Sequence, residues 1–132
     1  MINWIEGHTD RFSALFCHNG TFNLESMWGT TEELWFPEWD VNGTPWENRE
    51  AYVKWSPHQY AKNFKTPMLI VHSAFDFRLS EEQAFQAFTT LQRLGVESKF
   101  LYFPDETHFV SKPQNAKLWW NTVLDWFKSH QK

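Results

Sequence analysis

Short, unbroken apolar runs alternating with helix-periodic stretches leave this chain few folds to adopt, and the pattern is plainest in its second half. Residues 67–71 (Pro-Met-Leu-Ile-Val) and 99–103 (Lys-Phe-Leu-Tyr-Phe) are too short for ordinary helices and read as strands, as does the earlier run at residues 12–17. Apolar residues without alternation suit strands covered on both faces, the situation of a parallel sheet. Between the second and third runs the spacing predicts a helix. Ser80 is placed to cap it, Gln83 completes a capping-box pattern, and Gly95 stops it. Ala84, Ala87, Phe88, Leu91 and Leu94 form its apolar stripe. A second helix is predicted after Pro113, with Ala116, Trp119, Trp120, Val123 and Phe127 facing inward. The order strand, helix, strand, helix requires right-handed crossovers and predicts an α/β architecture of about three parallel strands with flanking helices.

Nine Trp and thirteen Phe in 132 residues call for a core or cleft rich in aromatic surface. Much of this lies in residues 20–64, which carry Phe22, Trp28, Trp35, Phe36, Trp39, Trp46 and Trp55. So long a segment without structure of its own is uncommon in a compact domain, so short helices are expected there. A formal charge of −4 argues against a nucleic-acid or anionic-membrane partner, and no apolar run has the length of a membrane span. The single cysteine, Cys17, allows no internal disulfide and no Cys-based zinc site; within an apolar strand it reads as a buried hydrophobe. No His/Asp/Glu group has metal-ligand spacing, and no metal is expected. Residues 1–7 lack the features of a signal peptide, while Asn-Gly-Thr triplets at Asn19 and Asn42 would permit glycosylation of a secreted protein. Secreted and cytoplasmic settings both stay open.

Ligands in open parallel sheets gather at the carboxyl ends of the strands. Asp76 follows the second apolar run through the turn His72-Ser-Ala-Phe75, and His108 follows the third through Pro104-Asp-Glu-Thr107. An acid after one strand and a histidine after the next is the order in which α/β-hydrolases carry two members of a catalytic triad, with a serine earlier in the chain. The chemistry needs that pair because a buried carboxylate fixes the histidine tautomer and stabilises the imidazolium formed during proton transfer.

An ordered set of motifs makes the likeness specific. Asn3-Trp-Ile-Glu-Gly-His-Thr-Asp-Arg-Phe12, Thr31-Glu-Glu-Leu-Trp35, Gly43-Thr-Pro-Trp46, Trp55-Ser-Pro-His58, Thr66-Pro-Met-Leu-Ile-Val-His72, Asp76-Phe-Arg78 and Phe103-Pro-Asp-Glu-Thr-His108 appear in turn. Together they resemble the end of the catalytic domain of the prolyl oligopeptidase family (peptidase S9), on its dipeptidyl-peptidase V and acylaminoacyl-peptidase side. The resemblance implies that residues 1–132 are the C-terminal part of an α/β-hydrolase fold, with Asp76 and His108 as triad acid and base. It also implies a Gly-x-Ser-Tyr-Gly-Gly-Tyr elbow immediately before the position of Met1; no Gly-x-Ser-x-Gly occurs in the chain. Ser73-Ala74 stands where relatives usually carry Gly-Gly.

The implied reaction is acyl transfer on a short peptide or acyl-peptide, needing no metal or organic cofactor. Arg78 either contacts a substrate carbonyl or terminus at the same mouth, or makes a surface salt bridge. Phe22, Met27 and Trp28 either wall the side-chain pocket or pack in the core. His58 and His72 read as structural, and Ser73, in the acid turn, is a poor substitute nucleophile. The expected partners are the remainder of the catalytic domain or a second copy, because the strand at residues 12–17 would expose an unpaired apolar edge. A different reading makes the chain a non-catalytic, aromatic-rich binding fragment, with Trp35-Phe-Pro-Glu-Trp39 as an exposed platform.

Overall fold

The computed structural model describes residues 1–131. In chain order the elements are α1 (Ile2–Glu6), β1 (Leu15–His18), α2 (Leu24–Thr30), α3 (Trp35–Val41), α4 (Arg49–Trp55), a 3₁₀ helix (Pro57–Asn63), β2 (Met68–Ser73), α5 (Glu82–Leu94), β3 (Ser98–Phe103) and α6 (Pro113–Ser129). The strands form one sheet in the order β1-β2-β3. Both pairings are parallel, with Leu15 opposite Met68 and Met68 opposite Ser98.

Alternation along the strands divides the core into two layers. Leu15, Cys17, Met68 and Ile70 face Ala84, Ala87 and Leu91 of α5, with Ile2 and Ile5 of α1 at the margin. Leu69, Val71 and Phe103 face Val123 and Trp126 of α6. Every residue of β2 is buried, so this central strand meets a helix layer on each side. Truncating Leu69 or Ile70 to Ala would remove about 2–5 kcal/mol.

The expected helices in residues 20–64 are present, but several local expectations shift. The first strand begins at Leu15, whose N–H makes a ladder bond to the Pro67 carbonyl at 2.8 Å. Phe12, three residues earlier, is exposed. No capping box closes α5. Ser80 Oγ pairs instead with Thr30 Oγ1 at 2.6 Å. Gln83 is fully buried, and its Oε1 accepts the N–H groups of Phe22 and Asn23 at 2.8 and 2.9 Å. Two donors on a distant loop outcompete the one local N–H that a box would satisfy. Gly95 does end α5 in the left-handed region, at φ 71°; Leu94, expected in the stripe, is exposed.

The inner face of α6 is rotated from the expected one. Thr122, Val123 and Trp126 are buried, while Trp120 and Phe127 are exposed. The Trp126 indole N–H donates to the Leu15 carbonyl at 3.0 Å, and a buried indole needs such a partner. That bond sets the rotation of the helix.

Candidate active site

The turns after all three strands converge at one end of the sheet. Asp76 lies in the turn after β2 and His108 in the turn after β3, 32 positions later, with His108 Nδ1 2.8 Å from Asp76 Oδ2. The Asp76 side chain is wholly buried and that of His108 is 28% exposed. Asp76 Oδ1 accepts the N–H groups of Arg78 and Leu79 at 3.1 and 3.0 Å. A carboxylate only accepts, so His108 carries its proton on Nδ1 and keeps Nε2 as its basic nitrogen.

The two turns are laced together by the backbone. Ala74 N–H donates to the Phe103 carbonyl at 2.9 Å, and Phe75 N–H to the Glu106 carbonyl at 3.0 Å. The Glu106 side chain then organises the histidine turn from inside. It accepts Ser111 N–H and Lys112 N–H, each at 3.0 Å, and the Asn115 amide at 2.8 Å. Burial opposes its charge, yet these donors hold its carboxyl below the ordinary range. Asn19, just past β1, completes the ring of turns: its Nδ2 donates to the His108 carbonyl at 2.6 Å.

Two further histidines stand behind the pair. His18, at the end of β1, has its pKa pushed down to about 4, by burial first and then by His72 and His108. His72 is fully buried, and its pKa is lowered by burial against the opposing pull of the Leu79 carbonyl and Asp76. Cys17 is likewise buried, which raises its thiol to about 11 and leaves it unsuited to nucleophilic work.

A cleft of about 370 Å³ opens beside His108, with Asn19 and Arg78 as polar wall and Met27, Phe36 and Leu79 as apolar wall. Of the three aromatic-stretch residues singled out from sequence, Met27 lines this cleft. Phe22 is buried in the α5 core and borders a separate cavity with His58 and Phe85. Trp28 turns the other way, its indole N–H on Glu38 at 3.1 Å and its ring edge-on to Trp46. Adjacent residues on a helix point about 100° apart, and here Met27 of α2 turns to the cleft while Trp28 turns to Glu38 and Trp46. Arg78 lines the cleft and forks onto Glu33, with Nε–Oε2 at 2.7 Å and Nη2–Oε1 at 3.3 Å.

Asn19, Glu106 and the link from His72 were not assigned to the site by the sequence reading. The strand-end rule that selects Asp76 and His108 applies equally to Asn19, once β1 is extended to His18. Glu106 sits inside the quoted Asp-Glu-Thr-His motif. The partner of His72, seven residues on, leaves no pattern in sequence. Among the described residues, no group of three or more His, Cys, Asp or Glu is placed to hold a metal ion, and no helix is long and apolar enough to cross a membrane.

Comparison with known proteins gives one consistent picture. The profile of the prolyl oligopeptidase family matches residues 1–132. The sequence is 45% identical over 134 aligned residues to dipeptidyl-peptidase 5 of Schizosaccharomyces pombe, covering 100% of this chain and 20% of that protein. It is 44% identical over 130 residues to dipeptidyl-peptidase 5 of Porphyromonas gingivalis, covering 95% of this chain and 19% of that one. The fold superposes on the acylaminoacyl peptidase of Pyrococcus horikoshii with a TM-score of 0.90 at 28% identity, covering 98% of this chain and 22% of that one. The chain thus spans about a fifth of the length of the relatives it matches.

Proposed function

This chain belongs to the prolyl oligopeptidase family and has its α/β-hydrolase fold, and on that premise we propose that it supplies the acid and the base of a serine-peptidase site, Asp76 and His108. The observation that carries the reading is the 2.8 Å contact from a buried carboxylate to His108 Nδ1, at the carboxyl end of the sheet. With Nδ1 committed, Nε2 takes the proton of a serine hydroxyl as that oxygen attacks the scissile carbonyl. It then returns the proton to the departing amine. Asp76 holds the ring and stabilises the imidazolium between those two steps. The serine is contributed by polypeptide outside these residues, since no Gly-x-Ser-x-Gly lies within them.

The substrate in this reading is a short peptide or acyl-peptide. Met27, Phe36 and Leu79 receive an apolar side chain, and the N–H groups of Arg78 not held by Glu33 face a substrate carbonyl or terminus. Dipeptidyl release, after the names of the two relatives above, is the reaction proposed for the parent polypeptide.

Fluorophosphonate labelling tests the division of roles. The purified 132-residue chain is expected to take no label, while a parent polypeptide with the upstream elbow takes one label on the elbow serine. His108→Ala in that parent should cut turnover by roughly 10⁴-fold or more. Stoichiometric labelling of a serine in the short chain, or a parent indifferent to His108→Ala, would overturn the proposal.

One observation favours a second role. Trp35 and Trp39, one helical turn apart on α3, are 61% and 83% exposed. Such surface suits contact with a second copy of the chain. Trp35→Ala/Trp39→Ala should then weaken self-association measured by sedimentation; an unaltered, concentration-independent monomer would remove this reading.

A further inference from the structure

His72 is buried at the end of β2, and its hydrogen bonds connect it to Asp76 by a specific route. Its Nε2 lies 2.7 Å from the Leu79 carbonyl. A carbonyl can only accept, so this nitrogen carries the ring proton. The same residue, Leu79, gives its own N–H to Asp76 Oδ1 at 3.0 Å. Leu79 is therefore held from both sides, by His72 through its oxygen and by Asp76 through its nitrogen. With Oδ1 occupied by Leu79 and Arg78, Oδ2 is the oxygen left for His108, at 2.8 Å.

We infer that His72 is a positioning residue for the Asp76–His108 pair: by anchoring the Leu79 backbone between its two flanking peptide groups, it fixes which carboxylate oxygen faces His108. The inference rests on the reading of that pair as the acid and base of the site. His72 does not hold the acid directly, since its Nε2 is 3.8 Å from Asp76 Oδ2, beyond hydrogen-bond reach. Nor does it compete with His108 for that oxygen. Its Nδ1 is buried without a partner, so a second ring proton would have nothing to bind. Burial disfavours a charged ring most, against the pull of the Leu79 carbonyl, Asp76 and Glu81, so the His72 pKa is lowered. A neutral donor suits the task, because a cation there would draw Oδ2 away from His108.

The glutamine and asparagine variants separate positioning from packing. Gln places an amide N–H near the former Nε2, whereas Asn stops near Nδ1 and cannot reach Leu79. Both are polar; Gln is close to His in bulk and Asn is one methylene smaller. In the ¹³C,¹⁵N-labelled wild-type chain, His72 should be the Nε2–H tautomer, scalar-coupled across the hydrogen bond to the Leu79 carbonyl carbon. The Nδ1 proton of His108 should exchange about tenfold faster in His72→Asn and close to the wild-type rate in His72→Gln, the factor expected from loss of one hydrogen bond.

Equal exchange in the two folded variants would overturn the inference. So would a wild-type His72 that carries its proton on Nδ1 or bears a charge. Should the Asn variant not fold, the wild-type tautomer and coupling decide with the Gln variant: coupling absent, or fast exchange in Gln, rejects the role. These measurements follow a proton rather than turnover. A failed labelling experiment on the parent therefore removes the peptidase reading and leaves this result standing.

Discussion

Asn19, in the left-handed region at φ 51°, donates its amide to the backbone carbonyl of His108, 89 positions along the chain and 2.6 Å away. One side chain thus ties the turn after β1 to the turn that carries His108. The bond has a consequence for covalent modification, because Asn19 and Asn42 head identical Asn-Gly-Thr triplets. A glycan on Asn19 would replace one of the two Nδ2 protons and would have to enter a half-buried site beside the His108 turn. Asn42, also at positive φ, is exposed at the end of α3. Expression through a secretory pathway should therefore glycosylate the folded chain at Asn42 alone. Mass spectrometry of Asn42→Gln should show no glycan, and a glycan retained there would contradict the assignment. Asn19→Ala should cost about 2 kcal/mol, from the lost hydrogen bond and an alanine in left-handed backbone.

Gly20 is required by close approach rather than by its own torsion. A Cβ at this position would stand 2.2 Å from Cys17 Sγ and 3.1 Å from Asn3 Nδ2. Cys17 is 3% exposed, so its sulfur has little room to retreat. Gly20→Ala should destabilise by about 1–3 kcal/mol in urea denaturation. Adding Cys17→Ala removes the clashing atom, so the double variant should lose less than the sum of the two single losses. Strict additivity would show that the sulfur is not the obstacle.

Acid should weaken the fold well above the pH at which most carboxylates titrate. His18 has a folded pKa of about 4 against 6.5 for the free side chain. The unfolded chain therefore binds that proton first, and stability is lost as pH falls from 6.5 toward 4. His72, lowered by burial, acts in the same direction. Glu6 opposes them, because burial raises its pKa and its stabilisation fades as pH rises. Urea midpoints between pH 7 and pH 4 should fall steadily, with a shallower slope in His18→Phe. An unchanged slope in that variant would exclude His18 as a source.

Glu106 should matter more than its neighbour. Its two oxygens collect Ser111, Lys112 and Asn115, while Asp105 pairs at the surface with Lys112 and Asn115. Glu106→Ala leaves backbone donors unpaired inside the histidine turn; Glu106→Gln keeps one acceptor oxygen. The expected order of melting temperature is wild type, then Gln, then Ala, with Asp105→Ala close to wild type. A Glu106→Ala melt as high as that of Asp105→Ala would refute the ranking.

The sequence by itself determined the order of strands and helices and the placing of Asp76 and His108 just beyond strand ends. Both follow from features a short window contains. Continuous apolar runs need cover on both faces, helical stripes need one, and Asp76 and His108 stand just beyond strand ends within an ordered motif set. Tertiary structure alone decided which partner each polar group took. Gln83 left its capping box for the N–H groups of Phe22 and Asn23, 61 and 60 positions back. Trp126 set the face of α6 by reaching Leu15 across 111 positions. Asn19 and His72 joined the site through backbone carbonyls, which every residue carries and no side-chain pattern marks. A buried donor takes whichever acceptor the packed sheet brings within 3 Å or so, and that choice exists only once the layers have closed.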